Sequence, residues 1–281
     1  MTDIQSTLAK ASAKLAETSD SALLDAEILL CHVLDKTRSH LRAWPEKKLS
    51  TSHSQQFLKL SKQRQQGVPI AYLTGHKEFW SLDFKVDPAV LIPRPDTELL
   101  IELSLELLVS KASPQIIDLG TGSGIIAIAL ATERPDIKAI AADFSEQALN
   151  IARQNSAMHQ VKNIQFIHSN WFANVPPHKF DLVISNPPYI DGNDPHLSQG
   201  DVRFEPDSAL IAKDQGLKDI KIITGNARQY LKQHGTLLIE HGCDQQSAVQ
   251  AIFDSYQYTS IKTHTDLSGN PRVTTAQWSA S

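Results

Sequence analysis

Ile116-Ile-Asp-Leu-Gly-Thr-Gly-Ser-Gly124 is the stretch whose reading decides the fold. Residues 116–119 form an apolar run that reads as a buried strand. Gly120, Gly122 and Gly124 follow it directly and open a helical stretch over residues 123–132. Strand, glycine turn and helix in that order begin a wound α/β sheet, because glycine takes positive φ and lets a ligand approach the backbone. Working outward, strand-like runs recur at 139–142, 164–167, 182–184 and 236–239, and helical stretches at 145–158, 216–231 and 244–253. That alternation predicts a parallel sheet with helices on both faces. The tail departs from it. Residues 260–265 and 272–278 read as two strands joined by Leu267-Ser-Gly-Asn-Pro271 with no helix between them, so an antiparallel hairpin should close the sheet.

The glycine loop narrows the ligand. A dinucleotide site prefers Gly-x-Gly-x-x-Gly, with its third glycine where Ile125 stands. Here the spacing is Gly-x-Gly-x-Gly after Asp118, which suits a cofactor without a pyrophosphate; a carboxylate at Asp118 also suits a ligand ammonium. Asp143 ends the next strand, close to the spacing at which an acid takes ribose hydroxyls. Trp171 ends the third as a flat wall for a purine. Taken singly, the glycines are a turn, Asp143 a helix cap and Trp171 a core residue. At successive strand ends they predict an adenosyl cofactor held by Gly120, Gly122, Gly124, Asp143 and Trp171.

Asn186-Pro187-Pro188-Tyr189 follows the fourth strand. The Asn186 side-chain oxygen can accept one N–H of a planar –NH2 group and the Pro187 carbonyl the other. Proline fixes φ at each step, so the acceptors are stiffly held, and Tyr189 offers a face for a planar group to stack on. Two such acceptors favour a pyramidal nitrogen whose lone pair is free to attack a methyl. Beside an adenosyl cofactor this predicts methyl transfer from S-adenosylmethionine to an amide or exocyclic amine nitrogen, in a Rossmann-like class I methyltransferase sheet. Asn186, Pro187, Pro188 and Tyr189 are the expected catalytic residues. The acceptor stays open at this point between an amide and a nucleobase amine (N6 of adenine or N2 of guanine). An NAD oxidoreductase is disfavoured by the glycine spacing and the terminal hairpin, and a cofactor-binding protein without catalysis by the intact Asn186–Tyr189 tetrapeptide. A plain Pro-Pro turn is disfavoured by its place after a strand.

Residues 1–73 read as a small helical domain, with a helix over about 50–66 that turns Phe57, Leu58 and Leu60 inward and ends at Gly67-Val-Pro69. Residues 74–92 read as a β-hairpin linker, and 93–281 as the catalytic domain. With 41% apolar and 21% charged residues and a net charge of −4, the composition is that of a globular protein, not a wholesale nucleic-acid binder. Two distant cysteines, Cys31 and Cys243, make neither a disulfide framework nor a zinc cluster and are expected to be structural; no metal is expected. A polar N-terminus and the lack of a long apolar run make the cytoplasm the expected location, without membrane contact. Residues 36–64 hold eight Lys or Arg and one acid, Glu46, about +7 by count, leaving about −11 to the remainder. This is a solvated helix face or a surface that steers an acidic partner.

On Pro93-Arg-Pro-Asp-Thr-Glu98, Asp118–Gly124, Asn186–Tyr189, Arg203-Phe-Glu-Pro206, Glu240-His-Gly242 and Asp266-Leu-Ser-Gly-Asn-Pro-Arg272, the chain resembles the bacterial protein-(glutamine-N5) methyltransferases that modify peptide chain release factors (HemK/PrmC type). The resemblance implies S-adenosylmethionine as cofactor, contacted by Gly120, Thr121, Gly122, Ser123, Gly124, Asp143, Trp171 and Asn186. The implied substrate is the Gly-Gly-Gln glutamine of class 1 release factors, with a role in translation termination. Nothing in the sequence demands more than a monomer, and the acidic remainder of the chain, with no evident base-recognition domain, argues against direct nucleic-acid binding. Arg94, Thr97, Glu98, Glu205 and Asp266 lie in the shared motifs without a role readable from the residues themselves.

Overall fold

The structure is a computed structural model and describes residues 2–279. Residues up to His76 together with Ser198–Phe204 form one compact unit, and Lys77–Leu197 with the chain from Glu205 onward form a second.

The first unit is helical: α1 (Ile4–Leu15), α2 (Ala22–Leu34), α3 (Arg38–Ala43), α4 (Thr51–Gln65) and α5 (Ile70–Thr74). Short polar side chains start three of these. Asp3 accepts from the Ser6 N–H at 2.7 Å, Thr37 from His40 at 3.4 Å and Ser50 from His53 at 3.1 Å, satisfying helix donors that have no partner within the helix. Ile4, Leu15, Leu29, Leu30, Leu41 and Phe57 make the core. Leu58, expected inward, is exposed, because at about 100° per residue it turns away from the buried Phe57–Ser61 line. The helical pattern also resumes after Pro69 as α5, since a proline at a helix start lacks an N–H where none is needed. Two acids outside the basic run are buried and reach into it. Asp25 accepts from Arg64 Nε at 2.7 Å, and Glu27 from Arg38 Nε at 2.6 Å. Part of the charge excess counted along the sequence is therefore neutralised internally.

The second unit, from Lys77, opens on the hairpin of β1 (His76–Phe79) and β2 (Leu82–Lys85), whose first residue still belongs to the first unit. Its two-residue turn places Trp80 and Ser81 at φ of 52° and 57°, the sense that matches strand twist but that non-glycine residues seldom take. Glu98 accepts from the Trp80 N–H at 3.0 Å and Glu133 from its indole at 2.8 Å, which holds that turn. Phe79 and Phe84 are buried in the core of this unit.

Then follow α6 (Glu98–Leu108), β3 (Gln115–Leu119), α7 (Ile125–Glu133), β4 (Lys138–Asp143), α8 (Glu146–Met158), β5 (Ile164–His168) and β6 (Phe180–Ser185). The chain finishes with α9 (Asp207–Leu210), α10 (Lys218–Ala227), β7 (Leu231–Glu240), α11 (Gln246–Ser255), β8 (Thr259–Thr265) and β9 (Pro271–Gln277). One seven-stranded sheet has the order β5-β4-β3-β6-β7-β9-β8. The first five strands are parallel; β9 runs antiparallel to both β7 and β8. The expected α/β sheet with a C-terminal antiparallel hairpin is thus the fold. Apolar clusters cover both faces, which is why β6 is buried at every residue and lacks polar alternation. From β3 the chain steps outward through β4 to β5, then returns to lay β6 on the other side of β3. Ligand crevices open at such reversals, beyond the carboxyl ends of the strands. Here Ser185 Oγ donates to the Leu119 carbonyl at 2.8 Å and ties the two strand ends together.

Candidate active site

A cavity of about 280 Å³ lies at that reversal. The glycine loop forms one wall. Gly120 and Thr121 donate their N–H groups to the Ala142 carbonyl at 2.9 and 3.0 Å, so the loop curls over the end of β4. Gly120, Gly122 and Gly124 take φ of 71°, 56° and 85°. A side chain on Gly122 would meet nothing within 4 Å, since that position faces open space. Gly124 serves otherwise. A Cβ there would stand 2.9 Å from Ile128 Cδ1 and 3.1 Å from Ala152 Cβ, so its bareness lets α7 and α8 pack, and it does not line the cavity.

Asp118 is placed differently from its expected role near a ligand ammonium. It is fully buried, outside the cavity lining, and accepts the Thr121 hydroxyl at 2.6 Å. Burial pushes its carboxyl up to about 7. It braces the loop from beneath. Asp143 does face the cavity. One of its oxygens accepts from the Gly122 N–H and the other from the Ser145 N–H, both at 2.8 Å, and burial raises its carboxyl above the ordinary value. Each oxygen keeps a further lone pair for a ligand hydroxyl. Phe144, next in the chain, is 68% exposed and lines the same cavity. It escaped sequence reading, although a large apolar residue directly after a strand-end acid was the available signal. Trp171 sits at φ 49°, held there by Ser169, whose hydroxyl donates to the Trp171 carbonyl at 2.7 Å. Its indole donates to Asp219 at 3.1 Å and its ring lies over Gly120.

The opposite wall comes from the end of β6. Asn186 and Pro188 line the cavity; Pro187 is buried and does not, and neither does Tyr189. The sequence suggests the Tyr189 ring as a stacking face. Instead its ring packs on the core and its hydroxyl donates to Glu240 Oε1 at 3.3 Å, at the end of β7. Burial, then the Glu240 charge, raise the Tyr189 hydroxyl, so it is a neutral anchor. Asn186 Nδ2 donates to Thr97 Oγ at 3.2 Å. The motif residues without a readable role acquire one here. Arg94 pairs with the buried Glu205, whose other oxygen accepts the Ile92 N–H at 3.2 Å, fixing the Pro93–Arg94 wall. Asp266 accepts the N–H groups of Ser268 and Asn270 at 2.9 and 3.0 Å and holds Arg272, which also reaches Asp96 at 3.2 Å. The terminal hairpin thereby pins the turn that carries Thr97. Cys31 is partly buried, while Cys243 is exposed, which differs from its expected structural place. Among the described residues no cluster could hold a metal ion, and no helix is long and apolar enough to cross a membrane.

The methyltransferase small domain matches residues 96–202, and the PrmC N-terminal domain matches residues 6–75. The release factor glutamine methyltransferase of Aliivibrio fischeri is 48% identical over 93% of this chain and 92% of its own length. That of Salmonella typhimurium is 49% identical over 91% and 92%, and that of Escherichia coli 46% over 93% and 94%. Among solved structures, the 16S rRNA N2 G1207 methyltransferase of T. thermophilus, in complex with AdoMet and guanosine, superposes with a TM-score of 0.54 at 16% identity, over 72% of this chain and 49% of its own; it shares the fold. With near-half identity over nearly its whole length to these relatives, and with both family models matched, the chain belongs to the release factor glutamine methyltransferase family.

Proposed function

We propose that this protein transfers a methyl group from S-adenosylmethionine to the side-chain amide nitrogen (N5) of the Gly-Gly-Gln glutamine in class 1 peptide chain release factors. The observation that carries the reading is the placement of the Asn186 carboxamide in one cavity with the glycine loop and Asp143. The residues present fit the cofactor: Gly122 opens on empty space, and Asp143 keeps lone pairs for the ribose hydroxyls beside the exposed Phe144 and the Trp171 ring. When bound, S-adenosylmethionine supplies an electrophilic methyl group. Gly120 to Ser123, Asp143, Trp171 and Asn186 hold it, while Gly124 acts through helix packing.

Asn186 Oδ1 accepts one N–H of the substrate amide and the Pro187 carbonyl the other. Held so, the nitrogen would have its lone pair free for the methyl group that the cofactor supplies, and the gain from these residues is one of positioning, worth several kcal/mol. Pro187 and Pro188 keep the acceptors rigid, and Tyr189 ties the loop to Glu240. The proton leaves after the nitrogen has become cationic, so no strong base is required. Lys47, Lys48, Lys59 and Lys62 are exposed on the first unit and steer an acidic face of the release factor by long-range attraction. The enzyme acts as a monomer, on protein and not on nucleic acid.

The test is methyl transfer from labelled S-adenosylmethionine to purified release factor, beside a Gly-Gly-Gln→Gly-Gly-Ala version and DNA and RNA controls. Label on the first alone supports the reading; label on nucleic acid overturns it.

A further inference from the structure

A carboxamide is nearly symmetric in shape and opposite in chemistry at its two ends. Only the oxygen accepts; the nitrogen donates twice. Turned the wrong way, Asn186 would present N–H groups to the N–H groups of an incoming amide, and the acceptor pair would be lost. Something on the protein side must therefore fix the orientation. The acceptor that does so is 89 residues away in sequence: Thr97 Oγ takes a hydrogen bond from Asn186 Nδ2 at 3.2 Å. Thr97 is 1% exposed, yet borders the cavity.

The surroundings of Thr97 suit an acceptor. A hydroxyl accepts best when its own proton is engaged elsewhere, and the carboxyl group of Glu240, itself 1% exposed, lies beside it. Glu240 is anchored in turn by the Tyr189 hydroxyl at 3.3 Å. The Thr97 backbone is held from the other side: its N–H donates to the Arg94 carbonyl at 3.1 Å, and Arg272 holds the neighbouring Asp96 at 3.2 Å. We propose that Thr97 is a positioning residue that locks the Asn186 carboxamide with its oxygen toward the cavity and so sets the polarity of substrate recognition. The proposal rests on the methyl-transfer reading above.

Aspartate provides the control, because a carboxylate presents an oxygen whichever way it is turned and has no orientation to lose. Turnover at saturating cofactor is compared for Thr97→Val and Thr97→Ser, each in the wild-type and the Asn186→Asp backgrounds, with calorimetric binding of S-adenosylhomocysteine as a second readout. Thr97→Val keeps the shape without the hydroxyl. It is expected to lower kcat about tenfold beside Asn186 and less than about threefold beside Asp, with cofactor affinity within about twofold; Thr97→Ser restores most of the rate. Equal losses in both backgrounds, a parallel fall in S-adenosylhomocysteine affinity, or no loss at all would overturn it. The comparison is run on whichever acceptor the wild-type enzyme labels. Failure of the release-factor reading then appears in the wild-type arm, and failure of the Thr97 assignment in the ratio between variants.

Discussion

Replacing Asp143 by alanine separates binding from chemistry. In the structure its two oxygens accept the N–H groups of Gly122 and Ser145 at 2.8 Å each, and the remaining lone pairs face the cavity. A ribose offers two hydroxyls to that carboxylate. Hydrogen bonds to a charged group are worth about 1.5–3 kcal/mol each, and part of that is recovered by water entering the open cavity. A net loss of about 3 kcal/mol corresponds to about a hundredfold rise in Kd. The two released backbone N–H groups also meet water, so the cost to folding should be about 1 kcal/mol. Because the proposed mechanism puts Asp143 on the ribose side and Asn186 at the reacting nitrogen, kcat at saturating cofactor should stay within a few-fold of wild type. Calorimetric titration with S-adenosylhomocysteine gives the first number, steady-state kinetics at raised S-adenosylmethionine the second, and urea unfolding the third. A Kd within twofold of wild type, or a large loss of kcat at saturation with Kd unchanged, would refute the placement of the ribose at Asp143.

Asn186→Ala removes the side-chain acceptor at the nitrogen and should lower kcat by at least about a hundredfold while S-adenosylhomocysteine binds only modestly more weakly; near-normal turnover would sink the mechanism. Gly124→Ala forces a left-handed backbone at φ 85° on alanine and drives a methyl against Ile128 and Ala152. The unfolding free energy should fall by about 2–4 kcal/mol, and an unchanged urea midpoint would contradict the packing role. Burial lifts the Glu240 carboxyl from 4.5 to about 7, so ionising it costs more in the folded protein than in the unfolded chain. Its contribution is fully present below about pH 4.5 and lost as pH rises toward 7, by about 3 kcal/mol. Urea unfolding between pH 5 and 8 should show the wild type losing more stability than Glu240→Gln; parallel profiles would refute this.

The motifs legible in the sequence are those in which neighbouring residues do the work together. A strand running into glycines, an acid at the next strand end and two prolines after an asparagine each carry their geometry in the local backbone, since glycine permits positive φ and proline fixes it. Phe144 escaped because an exposed apolar residue has no periodicity to announce it. Tyr189 was given the face of the substrate because a tyrosine beside a reactive loop looks available; its ring went to the core when the end of β7 brought Glu240 within reach of its hydroxyl. Leu58 was counted inward from apolarity alone, and the phase of α4 turned it out.

By itself the sequence determined the α/β winding, the closing hairpin and the place of the glycines, Asp143 and Asn186 at strand ends, because each rests on hydrophobic period or on backbone restrictions within a few residues. Only the tertiary structure decided which distant side chains meet around them. Thr97 meets Asn186 across 89 residues, Arg94 meets Glu205 across 111, and Arg272 reaches back from the last hairpin to Asp96. Such pairings leave no local pattern, since side chains distant in sequence become neighbours only once the strand order is set and burial makes an unpaired polar group too costly to leave.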